Sequence, residues 1–464
     1  MTTLHEFDGP EWWRRAAIYQ IFPSSFQDSN GDGWGDLPGI LARLPYLASL
    51  GIDAVWLSPI HPSPMLDGGY DVEDFTGVNP LFGTLADFDR LLEAMRSRNI
   101  KLILDFVPNH SSDRHPWFVE SRASRSSPQR DWYVWSEPGR GNNPPNNWLS
   151  RFGGSAWELD ACTGAYYYHA FLKEQPDLNW RNPALRAAME ETLRFWMRRG
   201  VAGFRVDASG VLVEDALLRD EPLNLQAGPD TPPPERLKRV FTDSRPESFD
   251  CLAGLRRVID EFPERLLAGE ADTTTDRLAR FYGERDKPRL HLPLNFCLID
   301  SAWSATSVEA AVDAYLNMLP PGACPSWALG GHDKKRVAER IGEAQARVAA
   351  MLHMALPGVV VFYAGDEIGL PSMQVPPDRV RDPFAKLVPG YGLGRDPERT
   401  PMRWTAEPKA GFTTGEPWLP IGAGIGRLNV ASQEADSRSM LALYRRLIAL
   451  RKSHPGLQGS LYEP

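Results

Sequence analysis

The stretch Gly200-Val-Ala-Gly-Phe-Arg-Val-Asp-Ala208 decides the fold. Residues 192–199 carry a helical pattern, Gly200 stops that helix, and residues 201–206 are apolar enough for an interior parallel strand. The strand delivers Arg205 and Asp207 to its carboxyl end. A carboxylate there is costly to desolvate unless it is paired or used. A structural Arg–Asp pair meets that condition as well as a reactive one does.

The same unit recurs on both sides. Residues 17–22, 51–58 and 100–107 read as strands, with helices over 40–50 and 85–98 between them. Downstream come a helix over 184–199, the strand ending at Asp207, a helix over 248–260 and a strand over 265–270. Strands over 291–296 and 359–363 follow, with a short approach to His332 and Asp333 over 326–330 and helices over 307–319 and 336–356 between them, and a last helix covers 441–452. Repeated strand, loop and helix units build a parallel sheet, and about eight of them make a (β/α)8 barrel. Residues 1–110 and 180–455 belong to it. Between them, residues 111–179 lose the rhythm, and Trp132, Trp135, Trp148 and Trp157 lie among Asn, Gly and Pro. A structureless loop of that length is unusual, so this segment is a loop-rich domain inserted after the third strand and seated over the barrel mouth.

Composition narrows the classes. The chain has 464 residues, 42% hydrophobic and 24% charged, with a net charge of -9. No basic surface is available to track a phosphate backbone, which excludes a nucleic-acid partner. No apolar run is long enough to cross a bilayer, so no membrane partner is expected. The first residues lack a basic region followed by an apolar one, and the cytoplasm is the expected location. Cys162, Cys251, Cys297 and Cys324 are far apart and form no paired metal motif. The 15 Trp suit flat, partly apolar ligands as well as a large core.

Asp105, Asp207, Glu270 and Asp333 all stand where strands end. In a barrel those ends converge on one pocket. Like charges push one carboxyl's pKa up while an arginine holds another ionised, the division of labour needed for acid/base work. Sugar acetals require one carboxyl to protonate the leaving oxygen and a second to meet the charge at the anomeric carbon, about 5 to 5.5 Å apart when configuration is retained. Two-metal and lyase sites also gather acids.

The order of these pieces resembles the α-amylase family of glycoside hydrolases (family 13), in its α-glucosidase and oligo-1,6-glucosidase branch. Asp105-Phe-Val-Pro-Asn-His110, Gly203-Phe-Arg-Val-Asp207, Ala268-Gly-Glu270 and Gly331-His-Asp333 look like its four conserved regions, and Gln175-Pro-Asp-Leu-Asn-Trp180 like the segment after the inserted domain. The resemblance implies a retaining, exo-acting α-glucosidase with Asp207 as nucleophile, Glu270 as acid/base and Asp333 gripping sugar hydroxyls. Arg205 should keep Asp207 ionised. It further implies a first subsite of Asp67, Tyr70, His110, Arg205, His332 and either Arg395 or Arg399, with Arg399 preferred. Tyr70 would form the floor, and Phe152 and Gln175 would line the entrance. No organic cofactor is called for. The partner is a disaccharide or oligosaccharide, and the enzyme is a monomer or homodimer.

In Asp28-Ser-Asn-Gly-Asp-Gly-Trp-Gly-Asp36, side-chain oxygens alternate at Asp28, Asn30 and Asp32, with Asp36 beyond. Hard oxygens so spaced suit Ca²⁺ or Mg²⁺. Position twelve is Gly39, so the loop is not an EF-hand. The resemblance implies a structural cation here, with the Trp34 carbonyl as a further ligand; a metal-free network of Asx turns is the alternative.

Three departures stand out. Gly331 replaces the family's usual Asn. Ala208 after the nucleophile resembles α-1,4-preferring relatives, where Val resembles α-1,6-preferring ones. Residues 456–464 supply only a linker or the start of a C-terminal sandwich. The rival readings are a transglucosylase or isomerase, such as trehalose synthase or sucrose isomerase, and a binding scaffold without activity.

Overall fold

The computed structural model describes residues 11–458 apart from Asp272. Eight parallel strands form one sheet: β1 Ala17–Ile21, β2 Ala54–Leu57, β3 Lys101–Phe106, β4 Gly203–Val206, β5 Leu266–Glu270, β6 Leu292–Leu294, β7 Ser326–Ala328 and β8 Val359–Tyr363. Neighbours run β6-β5-β4-β3-β2-β1-β8-β7, and the ends meet. At that seam Pro293 has no N–H to offer, and the Ser326 hydroxyl substitutes. It donates to the Pro293 carbonyl at 2.7 Å and accepts from Asn295 N–H at 3.1 Å, while Ala328 N–H reaches the Asn295 carbonyl at 3.3 Å. The sheet is a closed barrel.

Strand alternation sorts the core into two layers. Ile18, Trp56, Ile103, Ala268 and Val361 fill the barrel interior, whereas Tyr19, Val55, Leu57, Leu104 and Phe204 face the helices. The interior positions continue upward to Asp105, Arg205 and Glu270, so the alternation that packs the barrel also aims the polar residues into its mouth.

The helix before β4 spans Pro183–Arg199 and ends on Gly200 at φ +108, where a Cβ would lie 2.4 Å from Arg96 Nη2. The helix expected over 336–356 is two pieces, Val337–Ile341 and Glu343–Ala355, because Gly342 turns left-handed at φ +80 between them. The helix expected over 40–50 is likewise split, into Leu37–Ala42 and Leu44–Leu50; Pro45 brings no N–H to continue the first ladder.

Between β3 and the Pro183–Arg199 helix, the chain forms a helix, Pro116–Ala123, and a small antiparallel sheet. Its central strand, Ala165–Tyr168, pairs with Trp135–Ser136 and Trp157–Asp160. Trp148, Trp157, Tyr166 and Tyr168 pack into its own core, which accounts for much of the tryptophan in this segment. The residues 459–464 of the expected terminal segment lie outside the described residues.

Candidate active site

β3 and β4 pair so that Asp105 stands opposite Arg205, and β4 and β5 so that Arg205 stands opposite Ala268, two residues before Glu270. This register builds the catalytic cluster. Arg205 Nη1 donates to Asp105 Oδ1 at 2.9 Å and to Asp207 Oδ1 at 2.6 Å, and Nη2 donates to Glu270 Oε2 at 2.7 Å. One buried guanidinium, lying over the Trp56 ring, holds three carboxylates. Asp207 and Glu270 therefore flank the same group.

Arg205 does not hold Asp207 low, as the sequence leads one to expect. Burial raises that carboxyl well above its usual range; Arg205 pulls it down, but Glu270, Asp105 and Asp333 add their repulsion to the burial. Asp105 is lifted to about 6, again chiefly by burial. Asp333 goes the other way: burial opposes its ionisation, but His332, Arg399 and Arg395 outweigh burial and hold it well below the usual range.

A pocket of about 430 Å³ opens over Asp207, Glu270 and Asp333. Asp67 and Arg395 both line it and pair at 2.7 Å, and Arg395 is in turn held by Asp382 at 2.6 Å. Tyr70 lies in the wall, parallel to His332 at 5.6 Å between ring centres, with its hydroxyl donating to Asp105 Oδ2 at 2.9 Å. Phe152 is there too, edge-on to Phe384 at 4.9 Å. Of the two candidate arginines, Arg395 lines the pocket. Arg399 stands behind Asp333, bonded to that carboxylate and to the His332 carbonyl at 3.1 Å, so the preference for Arg399 is corrected.

Gln175 is fully buried and lies behind the wall, not at the entrance. Its amide accepts from Leu172 N–H at 3.0 Å, which turns Nε2 toward Asp67 Oδ2 and His110 Nε2, both at 3.1 Å. On the other side of His110, the Asn109 amide donates to the Val211 carbonyl at 2.7 Å and to Asp177 Oδ2 at 2.8 Å. Its oxygen is left to accept from His110 Nδ1 at 2.8 Å. Backbone groups thus orient two amides around the histidine: Nδ1 faces the Asn109 oxygen, while Nε2 faces both the Gln175 amide and the Tyr70 carbonyl, the latter at 3.2 Å. Burial pushes its pKa to about 3, so it is neutral. His332 is pushed to about 3 by the same cause and bonds Gln20 at 2.7 Å and the Tyr70 hydroxyl at 2.8 Å.

Sequence reasoning missed Arg151, Phe171, Arg239, Asp243 and Phe384, which also line the pocket. They come from the inserted domain, from the loop after β4 and, for Phe384, from the short helix Pro383–Leu387, none with periodicity enough to read. Gly331 begins the turn that closes on Lys334 N–H at 3.3 Å, and a Cβ there would meet only Gln20 Oε1, at 3.5 Å, within ordinary contact. Nothing in the backbone requires glycine at this position.

The oxygen-rich loop is tied largely to itself. Asp28 accepts from the N–H groups of Asn30, Gly31 and Gly33 and from Thr413, and Asp36 accepts from Ser29 and Gly39. Asn30 Oδ1 and Asp32 Oδ1 each receive one N–H, at 2.8 Å, and keep a lone pair. Among the described residues no three acidic, His or Cys side chains converge as a metal cage. The remaining donors are hard oxygens of the kind a Ca²⁺ or Mg²⁺ takes, but Asp28 is already saturated.

A pocket lined by Asp207, Glu270 and Asp333 beside one shared guanidinium is equipped to hold a sugar and cleave its acetal; the chain is a glycoside hydrolase on a (β/α)8 barrel. It belongs to the α-amylase family, since residues 20–459 match the model of the alpha amylase catalytic domain. It is 42% identical to a probable alpha-glucosidase of Rhizobium meliloti (strain 1021), over 96% of this chain and 84% of that one. It is 37% identical to an oligo-1,6-glucosidase of Parageobacillus thermoglucosidasius, over 96% and 84%. Among solved structures, the alpha-glucosyl transfer enzyme XgtA superposes with a TM-score of 0.92 at 41% identity, over 97% of this chain and 86% of that one.

Proposed function

We propose that the chain is a retaining α-glucosidase that removes glucose from the non-reducing end of short α-linked glucosides, with preference for α-1,4 bonds. The observation that carries this reading is the shared guanidinium: Arg205 bonds Asp207 and Glu270 beside a pocket that the Asp67–Arg395 pair also lines. In this reading that pair plugs the pocket beyond the first sugar, so that a chain terminus enters and the reacting acids flank the first glycosidic bond.

In the first step, Glu270 gives its proton to the glycosidic oxygen as the bond from C1 breaks. An Asp207 oxygen bonds to C1, and the aglycone leaves as an alcohol. Water then attacks C1, Glu270 takes its proton, and Asp207 is released as carboxylate with α-glucose. The reaction needs one proton between the two acids. Burial raises the Asp207 carboxyl, and the common guanidinium keeps both carboxylates within its reach. Asp333, ionised and held by Arg399, is free to accept hydroxyls of the first sugar.

A panel of maltose, isomaltose, sucrose, trehalose and maltotriose with anomer-resolved products tests the reading. α-Glucose as the first product supports it; β-glucose, or no turnover by folded protein, overturns it. Transfer to a sugar or alcohol is the second reading, supported by the likeness to a glucosyl transfer enzyme. Products longer than the substrate would select it. We further propose that the Asp28–Asp36 loop takes a structural Ca²⁺ or Mg²⁺ on Asn30, Asp32, Asp36 and the Trp34 carbonyl, bracing the barrel without entering the chemistry. No helix among the described residues is long and apolar enough to cross a membrane. A cytoplasmic monomer or homodimer completes the proposal, supported by four free cysteines.

A further inference from the structure

The pocket has two dissimilar walls. Asp67, Tyr70, His110 and Arg395 form one. The other comes from Arg151 and the loop after β4, which begins at Ala208, the residue whose N–H reaches Glu270 Oε2 at 3.4 Å. This second wall is anchored: Ser244 N–H donates to the Gly210 carbonyl at 2.8 Å, and Arg151 pairs with Asp243 at 2.8 Å. Arg239 belongs to it, half-buried and lining the pocket.

Arg239 has no carboxylate within ion-pair distance among the described residues, and its hydrogen bond to the Pro234 carbonyl is long, at 3.3 Å. The two acids closest in charge are committed elsewhere. Glu221 accepts the backbone N–H groups of Val240, Phe241 and Thr242 at 2.8 to 2.9 Å, and Asp243 serves Arg151. Glu235, on the same rim, is exposed and makes no ion pair with it. A half-buried guanidinium without a counter-charge in reach is costly, and burial followed by repulsion from Arg151 pulls its pKa down to about 9. The planar fork has N–H groups left to donate toward the cavity, the geometry that receives an oxyanion.

We propose that Arg239 is a specificity-determining residue that binds an oxyanion, carboxylate or phosphate, on the leaving group, and that α-glucosides with an acidic aglycone are the preferred substrate class. This rests on the α-glucosidase reading. Maltose, maltobionate and α-maltose 1-phosphate differ only at the reducing end and separate neutral, carboxylate and phosphate leaving groups. At least one anionic substrate is expected to exceed maltose in kcat/KM by about tenfold, the scale of one charge-assisted hydrogen bond. In Arg239→Gln, melting normally by circular dichroism, that ratio falls to about one; Arg239→Lys keeps part of it, and added NaCl erodes it. Both anionic substrates no better than maltose, or a ratio unmoved by Arg239→Gln, overturns the proposal. Hydrolysis of 4-nitrophenyl α-glucoside is the control: its absence speaks against the glucosidase itself, whereas its presence with a flat ratio speaks against Arg239 alone.

Discussion

Arg205 and Glu270 are joined by a 2.7 Å ion pair, although Arg205 is the residue that also grips Asp207. Nucleophile and acid are thereby spaced by one rigid planar group, not by two independent side chains. Lysine cannot reproduce that fork. Arg205→Lys is expected to lower kcat on the order of a hundredfold or more with a smaller change in KM, because positioning of the reacting groups is lost. Steady-state kinetics on 4-nitrophenyl α-glucoside measures this; a pure KM effect would place Arg205 in substrate binding.

Removing the acid separates the two chemical steps. Glu270→Ala is expected to cost about 10²- to 10⁴-fold on maltose, whose leaving group needs a proton. An aryl glucoside with a good leaving group still forms the ester at Asp207, and azide, which needs no general base, should restore turnover and yield α-glucosyl azide. Product of the opposite configuration would reassign the nucleophile.

Glu214 and Asp177 lie buried against each other's charge where the inserted segment meets the barrel. Burial lifts Glu214 to about 7 and Asp177 well above its usual range. A carboxyl whose folded pKa is raised contributes stability below its unfolded pKa and loses that contribution as pH rises through the folded value. Glu214→Gln stays neutral throughout. Its Tm relative to the parent should therefore climb from about pH 4.5 to about pH 7, the window between the unfolded and folded values. A difference independent of pH would mean that Glu214 is not the titrating group.

Much of this was legible in the chain because period and position carry it. Strand ends named Asp105, Asp207 and Glu270, and alternation aimed them inward. What was not legible depends on side chains meeting across loops: the choice of Arg395 over Arg399 follows from Asp382, across a loop, and from Asp67, 328 residues away. The direction of the Asp207 pKa was misread for a related reason. A motif shows one Arg beside one Asp, but only the fold shows two more carboxylates on the same guanidinium. The breaks at Gly342 and Arg43 were hidden by apolar patterns that run through them.

Asp28 offers a way to weigh the proposed cation against the loop's own bonding. Chelation with EDTA should lower Tm by a few degrees and leave kcat on maltose unchanged once the protein is folded. Asp28→Ala should cost more than chelation, since it strips the acceptors of Asn30, Gly31, Gly33 and Thr413, which shape the loop with or without a cation. Equal melting with and without EDTA, with no metal by elemental analysis, would leave the Asx-turn network as the whole account.

Ala208 is the residue where linkage preference and backbone strain coincide. It follows the nucleophile, lines the pocket, and sits left-handed at φ +47. Alanine tolerates that region poorly, and a β-branched residue does so at a further cost of about 1 kcal/mol. Ala208→Val narrows the pocket beside the scissile bond, so the maltose-to-isomaltose ratio of kcat/KM should fall, and Tm should drop with it. The two effects are separable by Ala208→Gly, which relieves the strain and removes the methyl: it should raise Tm or leave it level while keeping maltose preferred. If Ala208→Val lowers Tm but leaves the ratio where it was, the methyl does not face the bond being cut, and the α-1,4 preference must be sought in the wall that carries Arg239.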